Sequence, residues 1–337
     1  MPTFTASLAN HHNPSYLVDA VRRIDQNLGY DNFFVGDERL NHNTYSLLAL
    51  AAHNSERIGL GTGVTNPYTR HPAMTAAAMA TLDTISDGRA HLGLGGGSGI
   101  GLDPLGYDQD DPVGTLRDAT KIINGLLDGE SVTLDRHEFS VDDADLDVTP
   151  DSDVPVYVAG RGPSILGLGG FRGDGVIAGA GLASPDGMAY AQEKIGNGAS
   201  KADRDLADID IVCWAFLSIA DDRDAAFDGV NPLVARIVNK TPLPALEAIG
   251  IESDLAKQVK AIDGVRELSA PELREKIPRS VTEQFAVAGT PTECRARITE
   301  LRESGVDHFG LLAFDNDECD ELEGLAQFSD AVIDEMA

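Results

Sequence analysis

Lysine is nearly missing from this chain. Its 337 residues hold 7 lysines against 19 arginines, 37 aspartates and 18 glutamates, for a formal charge of −29. A surface that acidic repels nucleic-acid phosphates and anionic membranes, which excludes both as partners. Cysteine is as sparse: Cys213, Cys294 and Cys319 stand far apart with no C-x-x-C pair. That excludes a disulfide framework or a cysteine-rich zinc site and fits a reducing cytosol. No apolar run has the length of a transmembrane helix. The start, MPTFTASLANHHNPSYL, has neither the basic nor the apolar region of a signal peptide, so a cytoplasmic location is expected. No G-x-x-x-x-G-K-[ST] loop and no H-E-x-x-H spacing occurs, so neither a P-loop nucleotide nor a metal is expected.

What is present is alternation. Short apolar runs typical of buried parallel strands are separated by amphipathic helical stretches. The runs are Thr3–Ala9, Asn32–Val35, Ile58–Val64, Ala90–Leu94, Val154–Val158, Gly175–Ile177, Ile209–Ser218 and His308–Ala313. Helices are predicted over Pro14–Leu28, Thr44–Asn54, Pro72–Ile85, Pro112–Leu127, Ser164–Phe171, Pro185–Asn197 and Pro291–Ser304, with a small hairpin from Val132–Leu134 and His137–Phe139. Eight strands, each followed by helix, is the pattern of a (β/α)8 TIM barrel. A mostly helical insertion over about 221–284, broken by Pro242, Pro244, Pro271 and Pro278, falls between strands seven and eight. With no interdomain linker, residues 1–337 read as a single domain.

Catalytic residues of such a barrel follow the strand ends, and here four strand ends carry glycine clusters. They are GLGTGVTNPYTRHP at 59–72, GLGGGSG at 93–99, AGRGP at 159–163 and AGAG at 178–181. Glycine lets backbone approach a planar or phosphorylated ligand closely, and four clusters in register point to one large cofactor. Neither Gly160-Arg-Gly162 nor Gly95-Gly-Gly97 completes a dinucleotide fingerprint, since Ile165 and Ile100 stand at the third glycine position. Gly160–Pro163 offers backbone N–H groups, Arg161 and a helix start for a phosphate, though Arg161 is equally suited to a surface ion pair. Gly179–Gly181 is a second candidate nest.

GTGVTNPYTRHPA at 61–73, TLDTISDGRA at 81–90 and LGLGGG at 92–97 resemble the luciferase-like monooxygenase superfamily, most closely its branch of coenzyme F420-dependent methylenetetrahydromethanopterin reductases. The resemblance implies a barrel of the bacterial-luciferase type. It also implies a strand-three bulge under the cofactor ring, through a cis peptide at Gly63 and Val64, with Gly61, Thr65 and Asn66 beside it. Gly95, Gly96 and Gly97 would flank the ring, and the tail phosphate would lie at Gly160, Arg161, Gly162 and Pro163 and at Gly179, Ala180 and Gly181. The implied chemistry is hydride transfer between F420 and a small electrophile, a methylene-pterin or methylene-folate one-carbon carrier, in a homodimer or homotetramer. An FMN-dependent monooxygenase and a non-catalytic flavin-binding barrel are the alternatives.

Two positions depart from that branch. Ser7 stands where its members carry a carboxylate in strand one, and Ser98 where they carry an acid after the strand-four glycines; serine is a poor general acid. With Asp37 and Glu38 after strand two, equally suited to a salt bridge with Arg39, these four are the catalytic candidates. His11, His12, His42 and Arg70 are further polar residues near strand ends, while His71 before Pro72 reads as a helix-start residue.

Short, heavily hydrated carboxylates in place of lysine stems also point to adaptation to molar salt, where the Debye length shrinks to about 3 Å and self-repulsion is screened. The melting temperature is expected to rise steeply as potassium chloride is raised from dilute buffer to molar concentration, with unfolding when salt is removed. A melting temperature independent of salt would refute this reading.

Overall fold

In a computed structural model, which describes every residue except Arg39, His137 and Ala337, the strands are β1 (Thr3–Leu8), β2 (Asn32–Val35), β3 (Gly59–Thr62), β4 (Ala90–Gly95), β5 (Val132–Asp135), β6 (Ser140–Ala144), β7 (Val156–Gly160), β8 (Gly175–Ala178), β9 (Asp210–Ile219), β10 (Ala286–Gly289) and β11 (His308–Ala313). The main sheet runs β10-β9-β11-β1-β2-β3-β4-β7-β8, with β8 also paired to β9. Eight of its strands, those expected from the sequence, form the closed parallel (β/α)8 barrel. Strands β2, β3 and β8 are buried at every position, as strands covered on both faces must be.

The chain packs as two compact units, one of Ser7–Ile177 with Lys194–Asp210, the other of Met1–Ala6, Ala178–Glu193 and Ile211–Ala337. In the first, the helix Pro14–Asn27 buries Leu17, Ala20, Val21 and Ile24 along one stripe. Pro14 opens it, and the Asn13 side chain accepts from the Ser15 N–H. His71 caps the helix Pro72–Ser86 in the same way, its Nδ1 accepting from the Ala73 N–H at 3.2 Å. That is the helix-start role read from the sequence.

In the second unit, the insertion forms the helices Arg223–Lys240, Leu243–Ala248, Ser253–Lys260, Ala270–Lys276 and Arg279–Glu283. Pro242 and Pro278 sit at N-caps and Pro271 in a first turn, where a missing N–H costs nothing. Beyond shifts of a residue or two at element ends, the hairpin and one strand differ from the sequence reading. The hairpin's second strand is Ser140–Ala144, not 137–139; Phe139 is the turn residue whose carbonyl accepts from the Arg136 N–H, and His137 lies outside the described residues. The additional strand β10 pairs in parallel with β9, Ala286 opposite Phe216. Its four residues, Ala-Val-Ala-Gly, are too short and too small to register as a strand. Among the described residues, no helix is long and apolar enough to cross a membrane.

Buried Asp25 ties the end of the first helix to the entry of β3. Its carboxylate accepts from the backbone N–H groups of Glu56, Arg57 and Ile58 at 2.9–3.0 Å. Burial pushes its pKa up, but the three N–H donors and the Arg57 charge outweigh that and hold it below its ordinary value. A depressed folded pKa contributes stability that is present above the unfolded value and lost as pH falls through the folded one. Asp25→Asn is therefore expected to cost about 1–3 kcal/mol at neutral pH. The gap to wild type should close as pH drops below 3.8, the ordinary aspartate value. Urea unfolding at fixed salt measures both, and a gap independent of pH would contradict the assignment.

Candidate active site

The site candidates of the first unit lie at or just beyond the C-terminal ends of β1, β2, β3, β4 and β7. The bulge after β3 is pinned on two sides. The Gly63 N–H donates to the Val35 carbonyl of β2 at 2.9 Å. The Thr65 N–H donates to the Gly93 carbonyl, and the Gly95 N–H to the Thr65 carbonyl, both at 2.9 Å. Between these anchors the Gly63–Val64 peptide is cis, at the two residues the resemblance implied. Below it, the Thr62 hydroxyl donates to the Gly93 carbonyl at 2.7 Å.

The strand-four glycines divide into two kinds. A Cβ on Gly93 would lie 2.2 Å from the Thr62 carbonyl and 3.0 Å from Val64 Cγ1, and one on Gly95 would lie 3.0 Å from Val64 Cγ2. These two make room for the bulge itself. Gly96 has nothing nearer than Pro112 at 4.0 Å, and the Gln109 side chain donates to its carbonyl. Gly97 has φ +73°, which favours glycine.

At the end of β7, Gly160 is required because a Cβ would strike Ile165 at 2.6 Å. Gly162 faces open space. It caps the helix Pro163–Arg172 without any side-chain hydrogen bond, so the helix start is left to a ligand able to accept from it. Burial lowers the Arg161 guanidinium from its ordinary pKa, yet it stays a cation at any working pH. In the second unit Gly181 has φ +106°, and a Cβ there would meet Ile249 at 2.9 Å and Phe285 at 3.0 Å. Turn geometry and packing alone call for a glycine at that position. Gly179 and Ala180 precede it, after β8.

The four catalytic candidates lie in different surroundings. Ser7 is fully buried, and its hydroxyl has no hydrogen-bond partner among the described residues. Strand alternation puts it on the same face of β1 as Thr5, one step nearer the C-terminal end. Asp37 is half-buried and bonded to the platform: the Thr65 hydroxyl donates to its Oδ2 at 2.6 Å, and Thr44 Oγ1 lies 3.2 Å from its Oδ1. Glu38 and Ser98 are exposed. The geometry thus joins Asp37 to the platform and leaves Glu38 and Ser98 at a solvent-facing rim. Exposed His11 lies tilted against His12, ring centroids 4.1 Å apart, and His12 stacks on Tyr16. His42 is also exposed, its backbone held to Asn10.

Sequence reasoning did not find Thr44, Tyr45 and Tyr68. The Thr44 hydroxyl donates to the Gly36 carbonyl at 2.6 Å. The Tyr45 hydroxyl donates to Thr65 Oγ1 at 3.3 Å, and the Arg70 guanidinium lies 4.4 Å above the Tyr45 ring. The Tyr68 hydroxyl is buried without a hydrogen-bond partner among the described residues. The helix after β2 begins at the catalytic end of a barrel, and that rule alone would have singled out its first two residues, Thr44 and Tyr45. Buried hydroxyls without partners are rare. Ser7 and Tyr68, with the uncapped helix start at Gly162, fit a polar, phosphate-bearing ligand.

A model of the family described as luciferase-like monooxygenase matches residues 2–308. The chain is 35% identical to 5,10-methylenetetrahydromethanopterin reductase of Methanolobus tindarius, over 84% of this chain and 86% of that one. It is 34% identical to the reductase of the same name from Archaeoglobus fulgidus, over 86% and 87%. Among solved structures it is similar to the coenzyme F420-dependent tetrahydromethanopterin reductase of Methanopyrus kandleri, with a TM-score of 0.86 and 28% identity, covering 100% of this chain and 99% of that one. The family model matching residues 2–308, with 34–35% identity to two relatives over most of the chain, shows that this chain belongs to the luciferase-like monooxygenase family.

Proposed function

We propose that this protein is an F420-dependent oxidoreductase that transfers a hydride to a methylene-pterin or methylene-folate one-carbon carrier. The observation that carries the reading is a carboxyl group, Asp37, hydrogen-bonded at 2.6 Å to Thr65 of the bulge. Identity of 34–35% to two methylenetetrahydromethanopterin reductases supports it. Reducing a methylene to a methyl carrier consumes one hydride and one proton. Coenzyme F420, when bound, supplies the hydride from its deazaflavin ring.

The chain's own residues do the rest. Gly63, Val64, Thr65 and Asn66, with Gly61 behind them, form a backbone platform that orients the ring. Gly95, Gly96 and Gly97 leave space beside it. Gly160, Arg161, Gly162 and Pro163 would hold the phosphate at a helix start; Gly179, Ala180 and Gly181, in the second unit, are a candidate anion nest of their own. Asp37 is the group suited to hold or give up the accompanying proton. The buried Ser7 hydroxyl can donate to or accept from a polar atom of the carrier. Glu38 and Ser98, at the rim, would meet the exposed part of the substrate. Family likeness and the exposed Met74 and Ile85 on the helix Pro72–Ser86 support association as a homodimer or homotetramer. The chain's composition supports a cytoplasmic, single-domain enzyme.

Purified protein in molar salt is expected to quench F420 fluorescence and to oxidise reduced F420 only when a methylene carrier is present. Asp37→Asn should lower kcat by about 100-fold or more while F420 affinity stays within about threefold, well under the 1.4 kcal/mol that tenfold represents. A tightly bound yellow flavin with oxygen-dependent turnover, or full activity in Asp37→Asn, would overturn the proposal.

A further inference from the structure

The string of groups behind Asp37 has a direction that follows from counting hydrogens. A threonine hydroxyl carries one hydrogen. The 2.6 Å contact from Thr65 Oγ1 to Asp37 Oδ2 is the short, charge-assisted kind and claims Thr65's hydrogen. The 3.3 Å contact between Thr65 and Tyr45 can then exist only if Tyr45 donates. Tyr45 is equipped to do so. Burial lifts its phenol above the ordinary value, so it keeps its hydrogen at working pH. The Arg70 guanidinium 4.4 Å above its ring draws electron density from the phenol and strengthens it as a donor.

Thr44 is committed elsewhere. Its hydrogen goes to the Gly36 carbonyl at 2.6 Å, and its oxygen also lies 3.4 Å from Asn10 Nδ2. The 3.2 Å contact from Thr44 to Asp37 Oδ1 is therefore the weaker one. Oδ2 is held from the platform side and Oδ1 is the less committed oxygen. Thr65 itself cannot drift, because its N–H and carbonyl are both bonded into β4.

We infer that Tyr45, under Arg70, is a positioning residue for Asp37: by donating to Thr65 it commits Thr65's single hydrogen to Oδ2 and leaves Oδ1 as the oxygen that exchanges a proton with substrate. This rests on the functional reading above for the identity of the substrate, but the string itself belongs to the ligand-free protein and is tested there first.

The ligand-free wild type is expected to show the Thr65 hydroxyl proton by NMR as a slowly exchanging, downfield resonance. It should be absent in Thr65→Val and exchange at least tenfold faster in Tyr45→Phe. With F420 and a methylene carrier, Tyr45→Phe and Thr65→Val should each lower kcat by about tenfold, about 1.4 kcal/mol of barrier, with KM for F420 unchanged. The double variant should be no slower than Thr65→Val alone, because Tyr45 acts through Thr65. Thr65→Ser, which keeps the hydroxyl, should restore most of the rate. An unprotected Thr65 hydroxyl in wild type, exchange in Tyr45→Phe equal to wild type, or multiplying losses in the double variant would overturn the inference. A wild type that protects the hydroxyl but shows no F420-linked turnover would overturn the functional reading and leave the string standing.

Discussion

Everything specific about the site depends on how the chain leaves β3. A parallel strand that simply ended would feed into its helix. Here the backbone is caught at Gly63 by the β2 carbonyl of Val35 and again at Thr65 by Gly93 and Gly95 of β4. Val64 alone is left to protrude between fixed points. The cost falls on the neighbouring strand, which must be glycine wherever the protruding Val64 would meet a side chain, at Gly93 and Gly95. The same anchoring places the Thr65 hydroxyl within 2.6 Å of Asp37 on the loop after β2. One set of backbone hydrogen bonds therefore fixes the platform, dictates the glycines of β4 and orients the nearest carboxyl group.

This bears on what a sequence can reveal. The eight barrel strands were legible because buried parallel strands are short, continuous apolar runs set between amphipathic helices. Asn32–Val35 and His308–Ala313 agree to the residue. β10 was not legible, since Ala-Val-Ala-Gly carries no pattern of its own and is a strand only because Phe216–Ile219 lies beside it. The second hairpin strand was displaced because Phe139, the apolar residue that suggested it, belongs to the turn.

For the site, the glycine clusters marked the correct strand ends but blurred the reasons. Gly93, Gly95, Gly160 and Gly181 are demanded by their protein neighbours or by positive φ, whereas Gly162 faces open space. No local pattern separates these cases, because the difference lies in atoms distant in sequence, such as Val64 against Gly93. The hydroxyls of Thr44 and Tyr45 were hidden for the same reason. Their partners, Asp37 and Thr65, are 7 and 20 residues away; the barrel rule marks the helix start, but nothing in a start beginning Thr-Tyr says what those hydroxyls bond.

The chain's charge sharpens the role of those hydroxyls. A protein of net charge −29 that holds an anionic cofactor gains by keeping further carboxylates away from it, since repulsion is strongest where water is excluded. Ser7 and Ser98 fit that constraint, as does a bulge edged by threonine and tyrosine oxygens. A site with few acids also has few proton carriers, so in the proposed reaction the proton that accompanies the hydride would fall to few groups. In that proposal Asp37 would have to be in the right place and present the right oxygen, and a carboxylate can turn about its bond to Cβ. A donor on one oxygen breaks that symmetry. Thr65 supplies the donor, and in the role inferred for it Tyr45 would remove the alternative in which Thr65 donates elsewhere. In a site poor in charge, hydroxyl groups can thus do by orientation what additional carboxylates would do by number.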